Sequence, residues 1–142
     1  MRKIEFRAWD KYDKKLYRVC DIDFINSEAT VITDEDRAEQ ERRKCKNIEL
    51  MQFTALLDKN GKEIFEGDLI KTLRRGKDII GEIAYCDKWA SFYFGYNNPY
   101  GVGIAENDIF EWHYRETHDD HIIISEVVGN IYENPELLKE AK

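Results

Sequence analysis

The residues whose types could hold a metal ion lie close together in the last third of the chain: His113, His118, Asp119, Asp120 and His121. Zinc accepts imidazole nitrogen and carboxylate oxygen as ligands, and two short strands joined by a loop would bring the imidazoles together. Their spacing matches no metal-binding motif, so we expect neither a bound metal nor another cofactor. In the simpler interpretation, His113 and His121 are neighbours across a hairpin. A metal-dependent hydrolase is therefore the third of our functional hypotheses.

Acid–base and nucleophilic catalysis find little support in this sequence. Acid–base chemistry would draw on the abundant carboxylates, which include Asp23, Asp68, Asp87, Glu106, Asp108 and Glu111. Such a pair needs a buried member with a shifted pKa, and most of these residues are expected in turns or on solvated strand faces. No glycine-rich loop leads from a strand into a helix, and no serine lies in a nucleophile elbow. We predict a protein that is not an enzyme.

Aromatic and basic residues in the middle of the chain form a candidate binding surface, which consists of Lys71, Arg74, Arg75, Lys77, Trp89, Tyr93 and Tyr100. Exposed aromatic rings stack on nucleobases, and nearby cations attract the phosphates. Phe92, Phe94 and Tyr96 share one face of a strand and are predicted to be core. The net charge of −7 opposes broad phosphate binding. Contact with nucleic acid is therefore our second hypothesis.

The composition is that of a soluble globular protein. The 142 residues are 42% hydrophobic, 13% aromatic and 36% charged, which allows one domain with an aromatic-rich core. No apolar run is long enough to span a membrane, and the first ten residues lack the apolar region of a signal peptide. We therefore expect a location in the cytoplasm. The cysteines, Cys20, Cys45 and Cys86, have no paired spacing and are interpreted as small apolar fillers.

The stretch from Glu49 to Ile70 is the strongest indication that this is a β protein. Two apolar runs flank Asn60-Gly61, and this dipeptide between strand-like runs is a strong signal for a hairpin with a type I′ turn. Glu66, Gly67 and Asp68 predict a second tight bend. Further short strands follow at the spacing typical of a barrel or a sandwich, with a turn at Arg74 to Lys77 and a long loop over residues 97–108.

The first part of the chain predicts a lobe of three or four short antiparallel strands. Alternating residues indicate strands from Lys3 to Trp9 and from Leu16 onward, where Phe24 and Ile25 extend the second strand or start another. Residues 34–47 are almost entirely charged or polar and have acid first and base last, which favours a mobile linker with helical tendency. The sequence leaves open whether this segment is helical or disordered.

Three segments of the chain are considered together: IEFRAWD at residues 4–10, ELMQFTALLDKNGKEIFEGDLI at residues 49–70 and VVGNIYENPELL at residues 127–138. Together they resemble the YopX family of phage and prophage proteins. The resemblance implies an SH3-like barrel in the C-terminal part and a viral or prophage origin. It transfers no catalytic residue. Because the glycines and asparagines of these segments are turn residues by type, we interpret the shared pattern as structural.

The prediction is a mostly β protein with two domains. Residues 1–47 form the N-terminal β lobe with the charged linker, and residues 48–142 form a small SH3-like barrel with a short C-terminal helix that starts at Asn134-Pro135. The function that we predict is a phage-encoded, non-catalytic binding or assembly module. It would act on a protein partner of host or phage origin in the bacterial cytoplasm. The partner's identity stays open, as does self-association through the N-terminal lobe.

Overall fold

The computed structural model describes residues 1–88, 90–97, 103–106, 112–116 and 121–140. Within these residues the chain forms thirteen strands, so the prediction of a mostly β protein is confirmed. The chain divides into two compact units, Met1–Phe53 and Thr54–Lys142. The predicted domain boundary at residue 47 lies a little before this division and stays a prediction.

The first unit is an antiparallel sheet with the strand order β4-β3-β2-β1-β5. Its strands are β1 (Phe6–Asp10), β2 (Lys15–Asp23), β3 (Glu28–Asp34), β4 (Glu39–Lys44) and β5 (Ile48–Leu57), of which the last continues into the second unit. A 3-10 turn, Cys45–Asn47, connects β4 to β5. The core of this unit consists of small and branched side chains from three strands: Ala8, Ala29, Val31 and Ile48.

The helical tendency predicted for residues 34–47 is wrong. Residues Glu39–Lys44 form the edge strand β4, which pairs with β3 from Glu28↔Lys44 to Asp34↔Glu39. An edge strand needs no apolar stripe, since ladder hydrogen bonds hold its backbone and charged side chains protect its free edge. The sequence prediction searched for a helical stripe and therefore missed a strand whose side chains are nearly all exposed.

The second unit contains eight further strands and one short helix within the described residues. They are β6 (Glu63–Phe65), β7 (Asp68–Arg74), β8 (Lys77–Cys86), β9 (Ser91–Asn97), β10 (Gly103–Glu106), β11 (Tyr114–Glu116), β12 (His121–Ile123), β13 (Glu126–Asn130) and α1 (Glu136–Glu140). Five strands pair in the order β10-β9-β8-β7-β13, β11 pairs with β12, and β6 pairs with β5 as the sixth strand of the sheet described above. The short C-terminal helix is confirmed. Strand β10 corrects the predicted long loop, because Gly103–Glu106 pairs with β9.

The core of the second unit is aromatic and aliphatic: Ile64, Ile70, Ile83, Phe94, Tyr96 and Trp112. The rings of Phe94 and Tyr96 stack at 5.5 Å between centroids, and their burial confirms their prediction as core residues. Phe92 was predicted with them, but it is only half-buried and packs against the exposed Tyr85. Gly81 lies directly against the ring of Phe94, where any side chain would collide. The hydrogen-bonded pairing of the described strands does not close into a barrel, so the SH3-like barrel stays a prediction.

The predicted hairpin at Asn60-Gly61 is present, but its turn is not type I′. Of the two residues only Gly61 has a positive φ (+80°), and the Asp58 carbonyl accepts the Gly61 N–H at 2.9 Å. The loop is longer than a two-residue type I′ turn, and its glycine adopts the left-handed conformation after a tight turn. Both central residues have positive φ in the β7–β8 turn instead, where Arg75 is at +50° and Gly76 at +77°.

Candidate binding surfaces

A buried carboxylate, Asp58, fastens the central hairpin to the last strand. Asp58 is 2% exposed, and its Oδ1 accepts hydrogen bonds from the N–H groups of Asn60 and Lys62, both at 2.9 Å. Its Oδ2 accepts the N–H of Val127 in β13 at 2.9 Å. Burial raises the pKa of Asp58, but these three hydrogen bonds outweigh burial and hold the pKa below its usual value.

Backbone hydrogen bonds extend this connection between the two distant segments. The Lys59 N–H donates to the Ser125 carbonyl at 2.9 Å, and the Ile131 N–H donates to the Gly67 carbonyl at 2.9 Å. Strands β13 and β7 also pair antiparallel. The segments 49–70 and 127–138, which carry the resemblance, therefore meet in space, and hydrogen bonds of their turn residues join them.

His113 belongs to the same buried polar network. It is 1% exposed, and its Nδ1 lies 2.7 Å from the Oγ of Ser125, which is fully buried. Burial lowers the pKa of His113 to about 4, although the charge of Asp58 opposes this shift. The imidazole is therefore neutral near pH 7 and packs between the rings of Trp112 and Tyr114. This environment suits a structural histidine and gives no support to His113 as a metal ligand.

The other two histidines do not complete a metal site within the described residues. The register of β11 and β12 places His121 opposite Glu116, so His113 and His121 are not cross-strand neighbours as the sequence had suggested. His118 lies outside the described residues. In the described parts of the chain, no group of three or more His, Cys, Asp or Glu residues is arranged to hold a metal ion.

The residues of the predicted basic and aromatic surface do not all lie together in the structure. Arg75 and Lys77 are exposed at the β7–β8 turn, next to Arg74, whose guanidinium lies 5.4 Å from the centre of the Tyr96 ring. Lys71 lies further along β7, and its Nζ is 3.5 Å from the Oε2 of Glu126. Tyr93 is half-buried on β9. Trp89 and Tyr100 lie outside the described residues, so the aromatic part of this surface stays a prediction.

The first unit carries an apolar hairpin tip that the sequence prediction did not recognise. Phe24 and Ile25 do not extend β2; they occupy the turn between β2 and β3 and are 84% and 94% exposed. The Oδ1 of Asp23 accepts the N–H groups of Ile25 and Asn26, both at 3.0 Å, and its Oδ2 accepts from the Asn26 side chain at 2.7 Å. We name the four residues 24–27 the apolar tip.

The base of the apolar tip is held in place as well. Ser27 adopts a left-handed conformation with φ at +54°, and its carbonyl accepts the Cys45 N–H at 2.8 Å. Asp–x–x–Asn–Ser is a turn signal, and it could have identified a tip here. Two large apolar residues next to each other, nearly fully exposed on an ordered turn, are the surface feature that most needs an explanation.

A buried ion pair fixes the opposite turn of the first unit. The Oδ2 of Asp10, which is 2% exposed, accepts a hydrogen bond from the Nε of Arg43 at 2.7 Å. Burial raises the pKa of Asp10, but hydrogen bonds from Asp13, Arg43 and Tyr12 outweigh it and lower the pKa. Burial and a hydrogen bond to Asp13 raise the pKa of Tyr17 to about 12. The pair joins β1 to the edge strand β4.

A groove in the second unit encloses about 260 Å³ and has an apolar floor with charged groups at its rim. It is lined by Lys59, Lys71, Thr72, Leu73, Asp78, Ile123, Ile124 and Glu126. The Oε2 of Glu126 lies 3.2 Å from the Nζ of Lys59 and 3.5 Å from that of Lys71. Two ammonium groups thus share one carboxylate, and Asp78 is the remaining charge.

These observations describe a mostly β protein of two compact units, in which hydrogen bonds join the segments 49–70 and 127–138. The family model described as YopX protein matches residues 5–139. The chain therefore belongs to the YopX family, which confirms the resemblance seen in the sequence. No curated protein matches the chain.

Solved structures also resemble this chain, and one of them is similar over nearly its whole length. It is protein EF1440 from Enterococcus faecalis, which is 30% identical and is matched over 97% of this chain and 99% of its own, with a TM-score of 0.57. In the part of the chain that the structure describes, no helix has the length and apolar character needed to cross a membrane.

Proposed function

We propose that this protein is a non-catalytic binding module of phage or prophage origin that acts on a protein partner in the bacterial cytoplasm. The observation that carries the proposal is the exposure of Phe24 and Ile25, at 84% and 94%, on an ordered hairpin tip. A surface position like this leaves a large apolar area in water. Burial of each side chain in a partner would contribute about 1.5–3 kcal/mol.

The hydrogen bonds within the apolar tip favour binding. Because Asp23 holds the N–H groups of Ile25 and Asn26, the turn loses little conformational freedom when a partner closes over it. Preorganised elements of this kind raise affinity by lowering the entropy lost on association. Large side chains that enter a desolvated pocket typically supply most of the binding energy. The tip therefore has the properties of an anchor.

The buried polar groups support a role without catalysis. Asp58, His113 and Asp10 are each 2% exposed or less, and each is engaged in hydrogen bonds with backbone or side-chain groups of the same unit. A catalytic group must reach its substrate. Buried environments of this kind can shift a pKa for catalysis, and here Asp58, His113 and Asp10 hold turns and strands together.

Site-specific photocrosslinking tests this proposal. A photoreactive amino acid replaces Ile25 in one variant and Tyr12 in a control, because Tyr12 is 78% exposed at a different hairpin turn. Both proteins are expressed in the bacterial host and irradiated. We expect one defined crosslinked protein from position 25 and none from position 12. Equal patterns from the two positions, or a turnover measured with the purified protein, would reject the proposal.

The β7–β8 turn favours a second candidate function, contact with nucleic acid. Arg75 and Lys77 are exposed side by side, and the guanidinium of Arg74 lies over the Tyr96 ring. Such cations bind phosphates, although the acidic total of the chain works against this. Gel shifts with single- and double-stranded DNA at low salt test it, with Lys77→Glu as the variant and Lys44→Glu on the edge strand as the control. Binding that survives Lys77→Glu would exclude this turn.

A further inference from the structure

The β7–β8 hairpin extends past the described strands that flank it in the sheet. Strand β13 begins its pairing opposite Lys71, and the pairing of β9 with β8 ends at Gly95. Strands β7 and β8 stay paired for three further positions, as far as Arg74↔Lys77. At a rise of about 3.3 Å per residue, these three pairs form a two-stranded ribbon about 10 Å long.

The end of this ribbon is strongly basic, although the chain as a whole carries a net charge of −7. Residues 74–77 read Arg-Arg-Gly-Lys, and we name them the basic ribbon end. Arg75 and Lys77 are exposed, and Asp78 is the one acid in the sequence from residue 71 to residue 79. The ribbon therefore presents a local excess of positive charge to solvent.

Contacts at its base hold the ribbon in a fixed position. The Thr72 hydroxyl donates to the Trp112 carbonyl at 2.6 Å, and the guanidinium of Arg74 lies 5.4 Å from the centre of the Tyr96 ring. An element that is ordered before it binds loses less conformational freedom on association. The basic ribbon end is thus preorganised for a ligand.

The basic ribbon end is built in a locally unfavourable way at two points. Arg75 adopts the left-handed conformation with φ at +50°, at a turn position that favours asparagine, aspartate or glycine. Arg74 and Lys77 lie directly opposite each other, and like charges in a cross-strand pair destabilise a hairpin. Departures from local preference are expected at functional sites. A ligand with negative charge would relieve the repulsion, so we infer that the ligand is an anion.

The shape of the ribbon favours duplex DNA over other nucleic acids. The major groove of B-DNA is about 12 Å wide and about 8.5 Å deep and admits a two-stranded β-ribbon, so a ribbon of about 10 Å is long enough to reach its floor. The major groove of duplex RNA is too narrow for side chains to read. Single strands bind on exposed aromatic rings, and residues 71–79 contain no aromatic residue.

We propose that the basic ribbon end inserts into the major groove of duplex DNA. Arg75 at the turn enters the groove, while Lys77 neutralises a phosphate at its edge. The inference rests on the second candidate function, contact with nucleic acid, and gives it an element, a groove and a kind of duplex. Because the rest of the chain is acidic, we expect weak binding with a strong dependence on salt.

Fluorescence anisotropy at low salt tests the proposal with three probes of one sequence: a DNA duplex, its separated single strand and the matching RNA duplex. We expect the DNA duplex to bind at least about fivefold more tightly than the other two. Arg75→Asn and Lys77→Glu should each weaken binding of the DNA duplex about five- to tenfold and reduce the slope of its salt dependence by about 1.

Thermal unfolding of the same variants separates lost binding from lost structure. Asparagine suits the left-handed position of Arg75, and glutamate in place of Lys77 would face Arg74 with the opposite charge. Both variants should therefore keep the melting temperature or raise it by about 1–3 °C. Arg37→Asn and Lys44→Glu, at exposed positions of the first unit, make the same charge changes and should leave DNA binding within about twofold of the wild type.

Several results would overturn the inference. They are equal binding of the single strand or the RNA duplex, binding that ignores both ribbon variants, and equal losses in the two controls. A single strand that binds more tightly than the duplex and depends on Lys77 would leave the second candidate function intact. Absence of binding to all three probes would reject both, while crosslinking at position 25 tests the apolar tip independently.

Discussion

The hairpin turn at Asp58 and the apolar tip at Asp23 use one carboxylate oxygen in the same way and differ in the partner of the other oxygen. In both, one carboxylate oxygen accepts backbone N–H groups from residues further along the turn. The second oxygen of Asp58 accepts the N–H of Val127 in β13, whereas that of Asp23 accepts from Asn26 in the same turn. Asp58 therefore supports the tertiary structure, and Asp23 shapes only its own tip.

The side chains of the two turns differ as well. The loop after Asp58 carries Lys59 and Asn60, which are polar and exposed, around a buried carboxylate. The tip after Asp23 carries Phe24 and Ile25 in solvent. A turn that the fold does not need for its stability is free to display apolar groups to a partner. The comparison thus separates a turn that joins two strands of the fold from a turn whose apolar side chains we propose to bind a partner.

The largest expected effect is the loss of the Asp58 carboxylate. Asp58→Ala leaves three backbone N–H groups without an acceptor, and we expect the free energy of unfolding to fall by about 3–5 kcal/mol. Unfolding in urea measures it. Asp23→Ala is the matched control and should cost much less stability, because its hydrogen bonds lie in solvent. Equal losses would remove the distinction between the two turns.

The next largest effect is a loss of stability on acidification. Burial lowers the pKa of His113 from 6.5 to about 4, so between these values the unfolded chain binds more protons at this site. Stability should therefore fall as the pH drops from 6.5 to 4, by roughly 3 kcal/mol in total, and this contribution should change little below pH 4.

Denaturation at a series of pH values measures this fall, and His113→Gln is the variant that should lack it. The lowered pKa values of Asp10 and Asp58 act below their ordinary value of 3.8, outside this window. Burial raises the pKa of Glu82 above 4.5, which opposes the fall within the window, so the comparison is between the wild type and His113→Gln. A variant His113→Gln that loses as much stability between pH 6.5 and pH 4 as the wild type would contradict the buried position of His113.

A smaller effect is expected from the ion pair of the first unit. Arg43→Ala leaves the buried carboxylate of Asp10 without its partner, and we expect a loss of about 2–3 kcal/mol in guanidinium unfolding. Arg42→Ala is the control, because Arg42 is exposed and pairs with Glu28 at 3.6 Å. Its removal should cost about 0.5 kcal/mol. If both variants lose the same stability, the Asp10–Arg43 pair is not the special contact described here.

Local patterns were sufficient to predict much of the fold. Apolar alternation located β1, the hairpin after β5 and the aromatic strand β9, because these elements bury one face. The bends at Gly67 and Gly76 followed from glycine, and both have positive φ. Strand β4 was missed because its side chains carry no strand pattern. Its pairing with β3 alone makes it a strand.

The candidate sites were harder to predict because they depend on contacts between distant residues. Nothing local to Asp58 indicates that Val127 donates to it from a position 69 residues away. The sequence does not show that His113 is buried against Ser125, because this contact forms only in the folded chain. His113 was therefore considered as a metal ligand. The apolar tip was missed for the opposite reason: Phe24 and Ile25 have the residue types of a core strand, and only the structure places them in solvent.

The smallest expected effect tests the central claim most directly. If the apolar tip serves a partner and does not support the fold, Phe24→Ser/Ile25→Ser should change the free energy of unfolding of the monomer by no more than about 0.5 kcal/mol. Urea unfolding at a low protein concentration measures this difference. A loss of about 2 kcal/mol or more, the amount expected when packed apolar side chains are removed, would show that Phe24 and Ile25 belong to the core and would contradict the account.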